Sequence, residues 1–112
     1  MTTRRSKWNA KPTVYNGVRY HSKREAKYAE GLDLLKKARG KYGVRAWSGQ
    51  PKFPMVVNGV KVCTYIADFL VTYGDGSQKV IDVKGVETSV FRIKAKLYAA
   101  LYPDGPPLEV VK

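Results

Sequence analysis

Two aspartates stand where a β-strand does not ordinarily place them. Asp68 lies in the run Tyr65–Val71 and Asp82 in the run Lys79–Lys84, both of which are strongly apolar and β-prone. Aspartate is among the residues least suited to a strand interior. Because side chains alternate along a strand, we expect Asp82 and Lys84 to project from the same face.

The turn between these two runs decides whether the carboxylates meet. Gly74–Gly76 is the predicted turn, and if it closes with Tyr73 opposite Ser77, then Asp68 lies directly across from Asp82. Like charges at that separation destabilise a sheet, and a bound divalent cation would offset the repulsion. Carboxylate oxygens suit Mg²⁺ or Mn²⁺.

A purely structural interpretation of the same residues stays open at this point. Asp82 could pair with Lys84, and Asp68 could face solvent at the edge of a sheet. A shift of one residue in the register would also place the two aspartates on opposite faces.

The elements that must position these residues follow from the hydrophobic period. Asn16-Gly17 predicts a hairpin between Thr13–Tyr15 and Val18–Tyr20. Ser22 is a good N-cap for a helix that ends at Gly40 and Gly43. The predicted buried face of this helix consists of Ala26, Ala29, Leu32, Leu35 and Ala38.

From Phe53 onward the period changes from helix to strand. A second hairpin is predicted around Asn58-Gly59, and Tyr65–Val71 and Lys79–Lys84 continue as antiparallel strands. The strands of this hairpin are Met55–Val57 and Val60–Thr64.

A second helix is predicted to begin near Thr88 or Ser89, and Leu108–Val111 is predicted to be a short final strand. The predicted buried face of this helix consists of Val90, Ile93, Leu97 and Leu101.

The resulting order is helix, three antiparallel strands, helix, strand, with the hairpin of residues 13–20 in front. This order predicts an α/β (α+β) fold. Residues 1–12 show no periodicity and are interpreted as a basic N-terminal arm, and residues 13–112 as one domain.

Charge is the informative bulk property. Lys and Arg number 21 against nine acids, giving a net charge of +12. Such a surplus favours a polyanionic partner, and nucleic acid fits better than a membrane surface because no basic amphipathic helix with an aromatic face is present. A solvated basic surface is the alternative. The absence of a secretory signal, of a long apolar run and of any cysteine except Cys63 favours the cytoplasm.

The segment Tyr65-Ile66-Ala67-Asp68-Phe69, a turn, and then Ile81-Asp82-Val83-Lys84-Gly85 resembles the signature of the PD-(D/E)XK nuclease superfamily. Ala67 stands where the motif has its proline. The superfamily core, which is restriction-endonuclease-like, runs helix, three strands, helix, strand. The resemblance therefore implies a metal-dependent nuclease with this core.

A narrower resemblance covers nearly the whole chain from Val14. Residues 14–26, 50–53, 68–69 and 82–85, with Thr88, Phe91, Lys94 and Lys96, are similar to a family of small phage-encoded proteins, many known only as a domain of unknown function. These proteins resemble phage Holliday-junction resolvases. The resemblance implies a Mg²⁺-dependent (or Mn²⁺-dependent) DNA endonuclease selective for branched DNA, working in the bacterial host cytoplasm. Two symmetric incisions need two centres, so a homodimer is expected.

The superfamily pattern also assigns roles. It implies that Asp68, Asp82 and the backbone carbonyl of Val83 bind the metal. Lys84 would orient or help deprotonate the attacking water and stabilise the transition state. Glu25 is implied as a further metal-site acid, although Ser22 and Glu25 also form a Ser-x-x-Glu capping box that explains the pair without catalysis.

Basic residues flanking these elements are the candidate DNA contacts, with a solvated polar face as their alternative explanation. They are Arg4, Arg5, Lys7, Lys23, Arg24, Arg92, Lys94 and Lys96. Three other functions remain open. The chain could be a non-catalytic basic nucleic-acid-binding module, a nickase or duplex endonuclease without junction preference, or, least supported, a structural protein of a phage particle.

Overall fold

The computed structural model describes residues 13–38 and 43–112, which form two helices and eight strands in a mixed α/β fold. None of the helices in these two ranges is both long and apolar enough to cross a membrane. In chain order the elements are β1 (Thr13–Tyr15), β2 (Val18–Tyr20), α1 (Lys23–Ala38), β3 (Val44–Gly49), β4 (Lys52–Val57), β5 (Val60–Ile66), β6 (Phe69–Tyr73), β7 (Gln78–Val83), α2 (Ser89–Leu101) and β8 (Leu108–Val111).

The main sheet has four strands in the order β3-β6-β7-β8. β6 pairs antiparallel with both β3 and β7, whereas β8 pairs parallel with β7. A parallel neighbour needs a crossover, and α2 supplies it. The two central strands are therefore β6 and β7, and they belong to the two runs in which the sequence places its aspartates.

Both predicted hairpin turns are confirmed. Asn16 and Gly17 have φ of 51° and 78°, and Asn58 and Gly59 have φ of 50° and 79°. Two successive left-handed residues make the turn type whose twist matches that of antiparallel strands. β1–β2 and β4–β5 each form a separate two-stranded sheet.

The prediction of the three antiparallel strands is wrong in one respect. β3 lies in residues 44–49, where no strand was predicted, and it joins β6 and β7 in the main sheet. The predicted hairpin around Asn58-Gly59 stands apart from that sheet. The predicted strand from Tyr65 to Val71 is also not continuous, because Ala67 and Asp68 separate β5 from β6.

The main sheet is covered on both faces. α1 packs on one face through Ala26, Ala29 and Leu32, which meet alternate residues of the central strands, including Phe69 and Ile81. Leu35 is 46% exposed and Ala38 is exposed, so the predicted buried face of α1 ends one turn earlier than expected.

The opposite face of the sheet holds α2 and the β4–β5 hairpin, packed around Met55 and Tyr65. The buried residues of α2 are Phe91 and Tyr98, whereas Val90 and Ile93 are each 60% exposed. The predicted buried face of α2 is therefore wrong at Val90 and Ile93, whereas Leu97 and Leu101 are partly buried and pack against this cluster as predicted. Its start is confirmed, because Thr88 caps the helix by accepting a hydrogen bond from the backbone N–H of Phe91.

Candidate functional site

The predicted register of the central hairpin is confirmed. Phe69 pairs with Ile81 and Leu70 with Val80, and the next step along both strands sets Asp68 opposite Asp82. The backbone N–H of Tyr73 donates to the Ser77 carbonyl at 2.8 Å and closes the turn. Both aspartates therefore lie at the same end of the sheet, on the face covered by α2.

Asp82 is a buried carboxylate in a central strand, with 1% of its surface exposed. The Tyr65 hydroxyl donates to its Oδ2 atom. Its Oδ1 atom has no hydrogen-bond donor, and across residues 13–38 and 43–112 it is the one buried side-chain polar atom in that position. Lys84 Nζ lies 3.3 Å from Oδ1 as an ion pair. A buried polar atom without a donor costs free energy and calls for an explanation.

Asp68 is held by backbone on both sides and is not at the edge of a sheet. Its Oδ2 atom accepts the Val83 N–H at 2.7 Å, and its own N–H donates to the Ile81 carbonyl at 3.1 Å. Its carbonyl accepts the Gln50 N–H at 2.9 Å. Gln50 adopts a left-handed φ of 53°, a conformation that costs energy for a residue with a side chain.

The surroundings of Asp68 favour its neutral form. Burial raises the pKa of the Asp68 carboxyl to about 7, and the negative charge of Asp82, a side-chain hydrogen bond with Asp82 and the negative charge of Glu25 act in the same direction. The hydrogen bond from the Val83 N–H opposes this rise. A divalent cation would counteract the rise in the pKa of Asp68, because positive charge stabilises both carboxylates at once.

Lys84 lies directly after β7, and its backbone N–H donates to the Val111 carbonyl of β8 at 2.8 Å. Its Nζ atom sits 4.9 Å from the centre of the Phe91 ring, and 32% of its side chain is exposed. The amine therefore stands between a buried carboxylate and solvent, where it can reach a molecule that approaches Asp82.

Glu25 forms half of the predicted capping box. Its backbone N–H donates to Ser22 Oγ at 3.2 Å. Burial raises the pKa of the Glu25 carboxyl, an effect that the charges of His21 and Lys84 and the His21 backbone oppose and that Asp82 reinforces. Glu25 thus lies within electrostatic range of Asp82 and Asp68.

Arg24, one of the candidate DNA contacts, lies beside Gly85, which directly follows Lys84 in the chain. Its Nη1 atom is so near Gly85 that a β-carbon there would be 3.1 Å away. Lys94 is occupied elsewhere, because its Nζ atom donates to the Thr64 carbonyl at 3.3 Å. Lys23, Arg92 and Lys96 are exposed on the two helices, and Arg4, Arg5 and Lys7 fall outside the residues that the structure describes.

Tyr65 is the residue of the site that sequence reasoning missed. It belongs to β5, in a different sheet from Asp82, and a strand tyrosine is explained equally well by packing. Burial and then the hydrogen bond to Asp82 raise the pKa of Tyr65, so its hydroxyl stays protonated and remains a donor. The only signal in the sequence was its place three residues before Asp68.

These groups fit a hard divalent cation in their chemistry. Asp68 and Asp82 offer carboxylate oxygens side by side, one of them buried without a donor, and Mg²⁺ and Mn²⁺ prefer oxygen ligands. Within the part of the chain that the structure describes, no three His, Cys, Asp or Glu side chains cluster closely enough to hold a metal by themselves. Backbone carbonyls, water or substrate oxygens would have to complete the coordination, which is the usual situation for Mg²⁺.

Comparison with known proteins gives one match. Residues 5–109 match the family described as a protein of unknown function, DUF1064, and the chain therefore belongs to that family. No curated protein matches the chain. No solved structure matches it either.

Proposed function

We propose that this protein is a Mg²⁺-dependent DNA endonuclease of the PD-(D/E)XK type. The observation that carries the proposal is the pair of carboxylates at one end of β6 and β7, with the buried Oδ1 atom of Asp82 lacking a donor and Lys84 beside it. A protein that only binds nucleic acid has no need for two acids there. The order α1, β3, β6, β7, α2, β8 supports the proposal because it follows the helix, three-strand, helix, strand order of that superfamily's core.

Asp68, Asp82 and the carbonyl of Val83 would hold the cation, and Glu25 would act on it from the start of α1. When bound, Mg²⁺ would neutralise charge on the scissile phosphate and lower the pKa of water. The two aspartates would cease to repel each other. Asp68 would then lose its proton, because burial beside negative charge is what raises its pKa.

The reaction is hydrolysis of a phosphodiester. A water oxygen attacks phosphorus in line, one P–O ester bond breaks, and the proton lost by water is balanced by the proton gained by the leaving alkoxide. Lys84 Nζ, partly exposed and 3.3 Å from Asp82, is placed to orient that water and to stabilise charge developing on the phosphorus oxygens.

The substrate class is supported by charge. A net charge of +12 attracts a polyanion, and Arg24 stands beside Gly85 to contact a phosphate near the scissile one. We further propose that branched DNA is the preferred substrate and that the active form is a homodimer. These two points rest on the resemblance to phage Holliday-junction resolvases and on the need for two centres to make paired incisions.

The test is cleavage of four-way, flapped, single-stranded and plain duplex DNA, with Mg²⁺ or Mn²⁺ and with EDTA. Asp82→Asn and Lys84→Ala run alongside the wild type. Each variant is expected to lower the single-turnover rate by about 100- to 1,000-fold, the typical effect of removing one transition-state group. The absence of metal-dependent cleavage on every substrate would contradict the enzyme proposal and leave a binding module as the better account.

A further inference from the structure

Tyr65 connects the β4–β5 hairpin to the candidate centre. Its side chain is 2% exposed and lies among the rings of Phe53, Phe91 and Tyr98, with centroid distances of 6.2, 6.2 and 6.0 Å. From that cluster its hydroxyl donates to Asp82 Oδ2. The aromatic packing fixes the ring, and the ring therefore fixes where the hydroxyl points.

One hydrogen bond to a carboxylate determines the orientation of both oxygens. Because Oδ2 is bound to Tyr65, the Oδ1 atom must face away from the hydroxyl, and it is the atom that Lys84 Nζ approaches. Rotation of the Asp82 carboxylate about its last bond would break the bond to Tyr65. The orientation is therefore set before any ligand arrives, as positioned metal ligands require.

A second aspartate in the same molecule shows what a purely structural carboxylate looks like here. Both oxygens of Asp33 have donors, since Tyr15 Oη reaches Oδ2 at 2.6 Å and Trp47 Nε1 reaches Oδ1 at 2.8 Å. Asp82 is the more deeply buried of the two and yet has a hydrogen-bond donor at only one oxygen, while the other faces the Lys84 amine at 3.3 Å as an ion pair. If Tyr65 served stability alone, the other oxygen would be expected to have a donor as well.

We propose that Tyr65 is a positioning residue for a divalent cation, holding Asp82 so that its Oδ1 atom is presented to the ion. This role rests on the proposed function. Tyr65 contacts neither the cation nor the DNA in this account, and it acts through Asp82 alone. Partners of this kind typically change metal affinity by about 10- to 100-fold when removed.

The experiment is a titration of the full chain with Mn²⁺ in the absence of DNA. Binding is measured by calorimetry and by the loss of the electron paramagnetic resonance signal of free Mn²⁺. Tyr65→Phe removes the hydroxyl and keeps the ring. The matched control is Tyr98→Phe, which lies in the same aromatic cluster but whose hydroxyl donates to the Pro106 carbonyl. Tyr65→Phe is expected to weaken Mn²⁺ binding by about 10-fold or more, and Tyr98→Phe is expected to leave it within about 2-fold.

Cleavage gives a second readout that a packing defect would not reproduce. In Tyr65→Phe the metal concentration for half-maximal rate should rise in step with the weaker binding, whereas the rate at saturating metal and the KM for DNA should stay near the wild type. If Tyr65→Phe is too unstable to titrate, the rise in Tm on adding Mn²⁺, compared with wild type and Tyr98→Phe, makes the same comparison.

The outcomes separate the two proposals. Unchanged Mn²⁺ affinity in Tyr65→Phe, or an equal loss in Tyr98→Phe, overturns the positioning role while wild-type cleavage still supports the nuclease. A wild-type chain that binds no divalent cation and cleaves no DNA overturns the nuclease and the positioning role together.

Discussion

At the scale of single residues, the two aspartates of the centre differ in how the fold holds them. Asp82 is fixed through its side chain by Tyr65, whereas Asp68 is fixed through its backbone by Gln50 and Ile81 and accepts the Val83 N–H. Neither arrangement provides the positive charge that two adjacent carboxylates require, apart from Lys84 on one side.

Stability should depend on pH through Asp68. The folded chain raises the pKa of this carboxyl to about 7, above the value of about 3.9 expected when unfolded, so the folded state holds the proton more tightly. In EDTA, stability from this group is therefore fully present below pH 4 and is lost as pH rises through 7. Asparagine does not titrate, so the free energy of unfolding of Asp68→Asn minus that of the wild type should increase from pH 4 to pH 7. Urea denaturation at a series of pH values measures this difference. An advantage that does not change with pH would contradict the account.

Arg24 should contribute salt-dependent binding beside Gly85. A β-carbon at Gly85 would lie 3.1 Å from Arg24 Nη1, a contact that a small shift of the flexible guanidinium would relieve, so the test is Arg24→Ala, which removes the charge itself. If Arg24 contacts a phosphate, the magnitude of the slope of log affinity against log salt should fall by about 0.9 in this variant. The measurement is DNA binding in an Asp82→Asn background without metal. Gly31→Ala is the control, since nothing lies within 4 Å of a β-carbon there. Equal salt slopes for the two variants would remove Arg24 from the interface.

At the scale of elements, Asp33 connects α1 to β1 and β3 through side-chain hydrogen bonds. It lies on α1 and accepts hydrogen bonds from Tyr15 of β1 and Trp47 of β3. Asp33→Ala leaves two donors without their acceptor and is expected to lower the free energy of unfolding by about 2 kcal/mol. Tyr15→Phe removes only one of these bonds and should cost about 1 kcal/mol. Chemical denaturation measures both, and an equal effect of the two substitutions would show that the Trp47 bond contributes nothing.

Local signals in the sequence predicted the elements whose causes are local. The turns at Asn16 and Asn58 and the caps Ser22 and Thr88 all lie within a few residues of the structure that they specify. The register of β6 and β7 was also predictable, because a short turn sets it.

The elements that were missed owe their place to distant partners. β3 has little alternation of its own, and it is a strand because β6, some 25 residues later, pairs with it. The buried face of α2 is set by the aromatic cluster around Tyr65, which favours Phe91 and Tyr98 over the apolar Val90 and Ile93. The link between Tyr65 and Asp82 crosses two sheets, and no spacing in the sequence encodes it.

At the scale of the whole molecule, charge rather than shape is the strongest pointer to a partner. The net charge of +12 is concentrated toward the start of the chain, where Arg4, Arg5, Lys7 and Lys11 occur among the first 12 residues without an acid. Charge of this kind contributes to affinity without contributing to sequence preference. The centre between β6 and β7 would then determine what happens to DNA once it is bound.

The first 12 residues should therefore contribute salt-dependent binding. Replacing the four basic residues of this segment by serine is expected to reduce the salt slope of DNA affinity by about 0.9 for each one that reaches a phosphate. The rate of cleavage at saturating DNA should be unchanged. Binding titrations between low and physiological salt, on junction and duplex DNA of equal length, make the measurement, and an unchanged slope would exclude this segment from the interface.

The most direct test of the central claim compares two lysines, Lys79 within β7 and Lys84 directly after it. Lys84 lies 3.3 Å from Asp82, and Lys79 forms an exposed ion pair with Glu109 at 2.9 Å. Under single-turnover conditions with Mg²⁺ and excess protein, Lys84→Ala should cut DNA at least about 100-fold more slowly than wild type, whereas Lys79→Ala should stay within about 2-fold. Equal rates for both variants and the wild type would contradict a catalytic centre at Asp68, Asp82 and Lys84.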